Sequence, residues 1–505
     1  MPVSTMHFFR TVRLSPLALV LFLSACAVGP DYQRPAVDIG EQFLGVRSVG
    51  AFDPAVGRVS MAAQGTTGAV PAPADPALRG WVPVEDGHDA LEPRWWSVFD
   101  DATLNQLMTL LNADNLTIAQ AEAQYRQAQA ALQQSRSGFF PVIGSGASVT
   151  RSGRGTDTGG VSANPSNQYS LNGTVSWEPD LWGRVRRTVE GSQAGLQASR
   201  ADLAAVRLSL QSTLVQTYFR VLGADAERDL LVRTQAAYER SLQTVQNRLQ
   251  AGIASPADLE VAKTQLENVR SQILAADRER SQLKNALAVL VGKTPAALDV
   301  VLAADLPAVP VTPVGVPSTL LQRRPDIVAA ERRVAQANAQ IGVAQAAWFP
   351  DLTLSAQGGY SSGQWAQWLS APSSFWALGP ILAFTIFDGG AREARIQDAR
   401  AGFDVQVAGY RQTVLDALRE VEDYLVGLDL LGQQSVVQAR ALASARESLR
   451  LTQNQYDAGL LDYLSVVQVE TSALDAERVA IGLRTDRLLA SVQLMAALGG
   501  GWTAE

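Results

Sequence analysis

Two long stretches of the chain carry apolar residues at spacings of three and four positions. In the first, 188–250, Leu196, Leu203 and Leu210 mark this period, and no proline interrupts it. The pattern predicts an amphipathic helix, which at about 1.5 Å per residue would be on the order of 90 Å long. A second helix of the same kind is predicted over 391–457.

Each long helix is followed by a glycine-containing turn and a shorter predicted helix, over 256–291 and 463–498. At the first turn, Ser255 is the expected N-cap residue, and Pro256 suits the first position of a helix. The chain is therefore predicted to contain two long helical hairpins. Their frequent alanine and serine residues allow helices to approach closely, as in a coiled coil.

Strands are predicted where apolar and polar side chains alternate with a period of two. In one such segment Tyr169 and Leu171 alternate with Ser170 and Asn172. Each segment is about ten residues long, the length of a tilted transmembrane β-strand, although a soluble sheet with one wet face would give the same pattern. The predicted strands cover 142–151, 169–178, 352–360 and 376–386.

The same order of elements occurs twice along the chain. Glu122–Pro141 returns as Glu331–Pro350, an offset of 331 − 122 = 209, and Gly252 corresponds to Gly459, an offset of 459 − 252 = 207. A constant offset over so long a span indicates that one structural unit was duplicated. Each unit contains a helix, an aromatic-proline stop, two strands and a long helical hairpin.

The repeat divides the chain into six expected segments. They are a signal peptide 1–25, a lipid-anchored extended segment 26–94, repeat 1 over 95–295, a linker 296–322, repeat 2 over 323–500 and a tail 501–505.

The helix that opens the first repeat is predicted to begin at Asp100 or Asp101 as N-cap residue and to end near Ser137.

Composition excludes several classes of function. The chain of 505 residues has a formal charge of −7, and so lacks the basic surface of a nucleic-acid-binding protein. Its two histidines, His7 and His88, cannot build a histidine-based metal site. The sequence contains no Ser/His or Cys/His pattern typical of a nucleophilic enzyme. We therefore predict a protein that is not an enzyme, with no metal and no dissociable cofactor.

The only cysteine, Cys26, lies in a specific context. Arg10 and Arg13 precede a short apolar core, and the letters LSAC follow at 23–26, which is typical of a secretory signal. LSAC also matches the bacterial lipobox, in which the cysteine after the cleavage point carries N-acyl and S-diacylglycerol groups. The alternative is an ordinary signal peptide with an incidental cysteine. Ala27, rather than aspartate, favours transit to the outer membrane.

Four strands cannot form a membrane structure alone. Backbone groups at an open sheet edge in lipid stay unpaired, at a cost of several kcal/mol each, so a membrane sheet must close into a barrel of about eight strands or more. Two copies of the chain would supply eight strands and three copies twelve. The periodicity alone does not select between these.

Several motifs together resemble one family, the TolC-like outer-membrane factors, in the lipoprotein branch typified by OprM and NodT. They are CAVGPDYQRP (26–35), PRWWSVFDD (93–101), WEPDLWGRVRR (177–187), RRPDIVAAERRVAQANAQIGVAQAAWFPDLTL (323–354), FDGGARE (387–393) and ALGGGW (497–502).

The resemblance implies a mixed α/β membrane protein. It would be a homotrimer, with a twelve-stranded outer-membrane β-barrel continuous with a long periplasmic α-helical barrel. The linkers near 296–320 and the C-terminus would form an equatorial belt. Members of this family are exit ducts of tripartite efflux pumps in Gram-negative bacteria. They bind a periplasmic adaptor protein, which is coupled to an inner-membrane transporter, commonly of the resistance-nodulation-division (RND) type.

Two other functions remain as alternatives. A duct of the same family can serve type I protein secretion, and the neighbouring genes would distinguish efflux from secretion. A non-conducting lipoprotein with a periplasmic coiled coil is less favoured, because a spacer has no need of alternating strands.

The resemblance implies that the two hairpin turns are the periplasmic tips of the duct. Gly252, Ser255, Gly459 and Asp462 would then contact the adaptor. Asp258 and Tyr456 match a tip aspartate and tyrosine that hydrogen-bond and hold the duct closed. Two plainer interpretations stay open: Asp258 as an acidic residue favoured in the first turn of a helix, and Tyr456 as a core residue at heptad spacing after Leu442 and Leu449.

The sequence departs from the family at the ring of acidic residues that narrows the duct. The matching positions are Ser465 and Gln468, and the nearest acid, Glu470, lies roughly on another face of the helix.

We therefore expect divalent and trivalent cations to block this channel only weakly, because no carboxylate ring is present to bind them. Titration of single-channel conductance with such cations measures this. Tight block at low cation concentration would contradict it.

Overall fold

The structure is a computed structural model that describes residues 28–37, 81–83, 94–153, 165–298, 305–310, 312–314 and 323–501. Its residues fall into two compact units. Unit 1 comprises Met1–Pro35, Tyr125–Ser199 and Ala330–Tyr410, and unit 2 comprises Ala36–Gln124, Arg200–Ala329 and Arg411–Glu505.

The secondary structure follows the predicted order. The helices are α1 (Ala102–Asp114), α2 (Leu116–Ser137), α3 (Arg184–Gln250), α4 (Pro256–Leu290), α5 (Pro325–Ala346), α6 (Ala391–Asp457) and α7 (Tyr463–Ala497). The strands are β1 (Trp81–Pro83), β2 (Val142–Ser152), β3 (Ser166–Trp177), β4 (Thr312–Val314), β5 (Asp351–Ser362) and β6 (Ser374–Ala383). Short 3₁₀ turns lie at Trp95–Phe99, Pro295–Ala297, Trp365–Gln367 and Ala371–Ser373.

Both long helices begin with the same device. The Asp180 carboxylate accepts hydrogen bonds from the backbone N–H groups of Val185 and Arg186, each at 2.9 Å. Asp388 accepts from the backbone of Gly390 and Arg392, each at 3.1 Å. These carboxylates satisfy N–H groups that the first helical turn leaves unpaired. They also explain why α3 begins at 184, four residues before the predicted start.

The sequence predicted one helix from Asp100 or Asp101 to about Ser137. This prediction is wrong, because the structure has two helices here, α1 and α2. Asp101 is the N-cap residue, since its carboxylate accepts from the Leu104 N–H at 2.9 Å. At Asn115 the backbone is extended. The Asn115 side chain accepts from the backbone of Thr117 and Ile118 and thereby starts α2. A polar side chain that can cap a helix thus competes with its continuation.

Unit 1 contains a four-stranded antiparallel sheet in the order β2-β3-β5-β6. Paired residues share a face, so the registers test the predicted alternation directly. One row joins Ile143, Val175, Ala356 and Leu378, and another joins Ala147, Leu171 and Tyr360. The opposite face carries Thr174 and Gln357, Asn172, and the pair Ser148 and Ser170, whose hydroxyls lie 2.7 Å apart. The four predicted strands and their two faces are therefore present.

The fourth strand ends earlier than predicted. Phe384 and Ile386 were expected to continue the alternation, but β6 stops at Ala383, which pairs with Asp351. The residue before Asp351 is Pro350, which has no backbone N–H group. A longer β6 would therefore find no hydrogen-bond donor at this position of β5. Both apolar side chains are exposed in the single chain.

The main core of unit 2 forms around the first turns of the chain after residue 94. Trp95, Leu104 and Leu111 pack with Tyr218 and Phe219 of α3. The Tyr218 hydroxyl donates to the Asp101 carboxylate at 2.5 Å, so the N-cap of α1 is tied to this core. In the same unit, β1 and β4 form a short parallel pair. Among the described residues, no helix combines the length and hydropathy needed to cross a bilayer.

We expect Gly359→Ala to destabilise the sheet, because a Cβ at this position would lie 2.0 Å from the Leu171 carbonyl oxygen. Forcing an atom into such a contact typically costs about 1–3 kcal/mol. The matched control is Gly379→Ala in β6, where an added Cβ meets nothing within 4 Å. Thermal unfolding of the detergent-solubilised protein measures the difference. Equal unfolding midpoints for the two variants would contradict the described sheet register.

Candidate functional site

The two hairpin turns in unit 2 have the same backbone conformation. Gly252 has φ +71° and Gly459 has φ +76°, the left-handed region in which glycine avoids the Cβ penalty. After each glycine a backbone N–H reaches back to the end of the preceding helix, from Ile253 to the Arg248 carbonyl and from Leu460 to the Gln455 carbonyl. These bonds satisfy carbonyl groups that the helix end leaves unpaired.

The helices that follow the turns begin with the same two residue types in opposite order. At α4, Ser255 is the N-cap residue, and its hydroxyl and the Asp258 carboxylate complete a reciprocal capping box. At α7, Asp462 is the N-cap residue, and its carboxylate accepts from both the backbone and the hydroxyl of Ser465. The bonds from Ser465 lower the pKa of Asp462. Ser255 as N-cap residue is thus confirmed.

Tyr456 lies in a small apolar cluster between the hairpin arms, together with Val245, Ala262, Val466 and Val467. Only 7% of its surface is exposed. The structure therefore supports the interpretation of Tyr456 as a core residue.

Arg248 and Tyr463 complete the surroundings of this tyrosine. The Arg248 guanidinium lies 4.2 Å from the centre of the Tyr456 ring, donates to the Tyr456 carbonyl at 3.2 Å and pairs with Asp457 at 3.6 Å. Tyr463 packs with its ring centre 5.7 Å from that of Tyr456, and its hydroxyl lies 3.0 Å from that of Ser241. Burial raises the pKa of both tyrosines. These partners were missed from sequence, and only the position of Tyr463 directly after a turn hinted at one of them.

Asp258 and Tyr456 lie in the same region, and the structure does not decide their proposed hydrogen bond. In the single chain the Asp258 carboxylate accepts from the Ser255 N–H, while Tyr456 contacts Arg248. The Asp258 charge still contributes to raising the pKa of Tyr456, after burial. The hydrogen bond that would hold the duct closed therefore stays a prediction.

Both turns expose a large apolar side chain. Ile253 is 75% exposed in the first turn, and Leu460 is 74% exposed in the second. Leu464, in the first turn of α7, is half exposed. The assignment of Gly252, Ser255, Gly459 and Asp462 to adaptor binding is a prediction, and these apolar neighbours extend the surface that it concerns.

The positions that replace the acidic ring carry no charge. Ser465 is half-buried and bonded to Asp462, while Gln468 is exposed. Glu470 is half-buried on a different face, and its Oε2 atom has no hydrogen-bond partner in the described structure. Burial raises the pKa of Glu470 to about 7. Burial also raises the pKa values of Tyr238 and Tyr463, and the Glu470 charge adds to this to a smaller extent. A buried acid of this kind had no sequence signal.

Two further predictions concern ligands. The lipidation site Cys26 and the signal peptide 1–25 lie outside the described residues. Within the described part of the chain, no group of three or more His, Cys, Asp or Glu side chains is arranged to hold a metal ion.

Comparison with known proteins matches this chain to one family. The family model "Outer membrane efflux protein" matches the chain twice, over residues 107–293 and 316–500. The two matches are displaced by 316 − 107 = 209 residues at their starts and 500 − 293 = 207 at their ends. These displacements equal the offsets of the internal repeat.

Individual relatives match this chain in sequence over nearly its whole length. The chain is 30% identical to outer membrane protein OprJ of Pseudomonas aeruginosa, over 97% of this chain and 96% of the relative. It is 28% identical to the cation efflux system protein CusC of Escherichia coli, over 97% and 99%. The solved structure of the outer-membrane channel OprN superimposes with a TM-score of 0.81 at 30% identity, covering 94% of this chain and all of that one.

The chain therefore belongs to the outer membrane efflux protein family. The predicted resemblance to TolC-like outer-membrane factors and the predicted fold class are confirmed. The protein is an outer-membrane efflux channel of the Gram-negative type. Members of this family are channel proteins rather than enzymes.

We expect Glu470 to make the protein less stable as pH rises. The carboxyl ionises near pH 4.5 in the unfolded chain and near pH 7 in the folded chain, so folding retains a proton between these values. Stability then falls by up to about 3 kcal/mol as pH rises through this window. Glu470→Gln removes this loss.

Thermal unfolding at pH 5 and pH 8 measures the effect, with exposed Glu279→Gln of α4 as the matched control. The wild type and the Glu279 variant should lose more stability than Glu470→Gln between the two pH values. The same pH dependence in all three proteins would show that Glu470 is not the titrating group.

Proposed function

We propose that three copies of this chain form the outer-membrane exit duct of a tripartite efflux pump. The duct exports small molecules or drugs that an inner-membrane transporter, of the proton-driven RND type, delivers through a periplasmic adaptor protein. Lipid on Cys26 holds each chain in the outer membrane, and the turns around Gly252 and Gly459 bind the adaptor.

The unpaired edges of the sheet carry the proposal of several copies. Within the described strands, β2 and β6 each pair on one side only. Their outer N–H and C=O groups need partners if the sheet lies in lipid, and strands of neighbouring copies are the natural ones. Twelve strands leave an open lumen, whereas eight give an interior that side chains fill. A conducting channel therefore favours three copies over two.

The exposed apolar face of the sheet supports a membrane location. Ile143 is 76% exposed and Trp376 is 83% exposed, and both lie on the face that carries the apolar rows. An apolar face of four strands turned to water would be unfavourable, whereas lipid would cover it. The opposite face bears serine, threonine, asparagine and glutamine, which suit a water-filled lumen of low selectivity. Substrate choice then rests with the transporter.

The match to the outer membrane efflux protein family favours efflux over the alternatives. CusC is a cation efflux system protein, and that substrate belongs to CusC. Type I protein secretion stays the second candidate. A periplasmic spacer without a channel is the least favoured, because it would leave the apolar face of the sheet without a role. The proposed functional divisions of the chain are 1–25, 26–94, 95–295, 296–322, 323–500 and 501–505.

The test is conductance of the purified protein in planar lipid bilayers, combined with chemical crosslinking to count the copies. We expect discrete channel openings and a largest crosslinked species of three chains. Cys26→Ser should lose the lipid yet still form channels, because the closed barrel holds the assembly in the membrane. A preparation that is folded but never conducts would rule out the duct and leave the spacer. Co-purification of the inner-membrane partner then separates efflux from protein secretion.

A further inference from the structure

The residues that follow Cys26 in sequence are held firmly on unit 1. We call Val28–Arg34 the strap. It lies against α3 and α5, although the sequence pattern had indicated only an extended segment leading away from the membrane anchor. The Val28 N–H donates to the Trp182 carbonyl at 3.1 Å. The strap therefore begins beside Trp182, which lies between the end of β3 and the start of α3.

One buried side chain, Arg187 of α3, donates three hydrogen bonds to the strap. Its side chain is 7% exposed. Its Nε donates to the Val28 carbonyl at 3.2 Å, and its Nη2 donates to the Gly29 carbonyl at 3.1 Å and to the Asp31 carboxylate at 3.0 Å. Nη1 pairs with Glu190 at 2.8 Å. A guanidinium offers five donors in a fixed fork, and here they bind two successive backbone carbonyls of the strap and two carboxylates, one on the strap and one on α3.

Two further buried polar groups, both on α5, bind the strap farther along. The amide of Asn338, 4% exposed, donates to the Pro30 carbonyl at 2.9 Å. Glu331, 3% exposed, accepts from the Tyr32 hydroxyl at 2.5 Å and lies 3.9 Å from Arg34. Buried polar groups without partners are costly. The strap supplies partners to all three helix residues, so it is part of the folded unit.

The backbone of the strap approaches α5 so closely that only glycine fits. Gly29 has φ +110°, and a Cβ there would lie 2.5 Å from the Gly342 Cα. A Cβ on Gly342 would lie 2.8 Å from the Arg187 Cγ. The two glycines thus leave room for the strap on one side and for the arginine stem on the other. This fit is additional to the hydrogen bonds and independent of them.

We propose that Arg187 is a positioning residue that docks the strap on unit 1 and thereby holds the lipid-bearing N-terminus beside Trp182, at the helix-proximal end of the sheet. The Trp182 indole donates to the carbonyl of Pro350, the residue before β5, so this point lies next to the strand ends. Cys26 lies two residues before Val28 in the sequence, outside the described residues. The acyl chains then enter the bilayer directly beside the barrel strands. The lipid part of this inference rests on the proposed function, whereas the docking of the strap does not.

Limited proteolysis tests the docking. Chymotrypsin cleaves after exposed tyrosines, and Tyr32 is held by Glu331 while the strap is docked. In the purified full-length protein we expect slow cleavage after Tyr32. Arg187→Gln should raise the rate of this cleavage by about tenfold or more, because several charge-assisted hydrogen bonds are lost. Arg187→Lys should give an intermediate rate, since an ammonium cannot reproduce the fork.

Gly29→Ala tests the same contact from the strap side. It leaves the Arg187–Glu190 pair in place and so carries the test if Arg187→Gln fails to fold. The matched controls are Arg136→Gln, at an exposed arginine of α2, and Gly402→Ala, where an added Cβ meets nothing within 4 Å. Both controls should be cleaved after Tyr32 at the wild-type rate. Wild-type rates in Gly29→Ala and in folded Arg187→Gln would overturn the proposal, as would rapid cleavage of the wild type itself.

The mass of the released fragment separates this inference from the proposed function. A fragment 26–32 that carries acyl groups supports the placement of the lipid by the strap. An unmodified fragment would overturn the lipid part and leave the docking intact. Conductance of the same variants, recorded in parallel, tests the channel separately. We expect Arg187→Gln to retain conductance, because the strap contributes no strand to the sheet. Loss of conductance with normal protection of Tyr32 would instead count against a positioning role confined to the strap.

Discussion

The need to pair every backbone group at the edges of a sheet in lipid governs the rest of this protein. One chain supplies the four strands β2, β3, β5 and β6, and its two outer edges have no partner within the described strands. A curved sheet of four strands cannot close on itself. The chain can therefore function in a membrane only as a set of copies. The sheet also carries an apolar face and a polar face, as lipid on one side and water on the other require.

The internal duplication gives each chain two similar halves, and the structure shows how different residues produce the same local geometry. Asp180 and Asp388 start the two long helices in the same way. At the turns, a serine followed by an aspartate in one half corresponds to an aspartate followed by a serine in the other. Capping requires an oxygen at each position and tolerates this exchange. The halves differ more at Tyr456, whose counterpart at 456 − 207 = 249 is a leucine.

Buried polar groups distinguish this structure from a simple assembly of amphipathic helices. Arg187, Asn338 and Glu331 are nearly inaccessible, and each forms a hydrogen bond with the strap. Glu470 is the contrasting case, since one of its oxygens has no partner and its pKa is raised to about 7. Fully satisfied groups specify one arrangement, whereas an incompletely satisfied acid makes the packing around it sensitive to protonation.

The sequence by itself determined the duplication, the long helices, the four strands and their two faces, because these depend on local periodicity and on breakers such as Gly252 and Pro350. It also determined the N-cap at Ser255. The break at Asn115, the burial of Glu470 and the docking of the strap depended on tertiary structure. In each case a polar side chain meets a partner, or fails to meet one, on an element distant in sequence; the Asn115 amide, for example, also donates to the Leu290 carbonyl at 2.7 Å. Spacing along the chain carries no record of such contacts, since they arise only when helices and loops pack together.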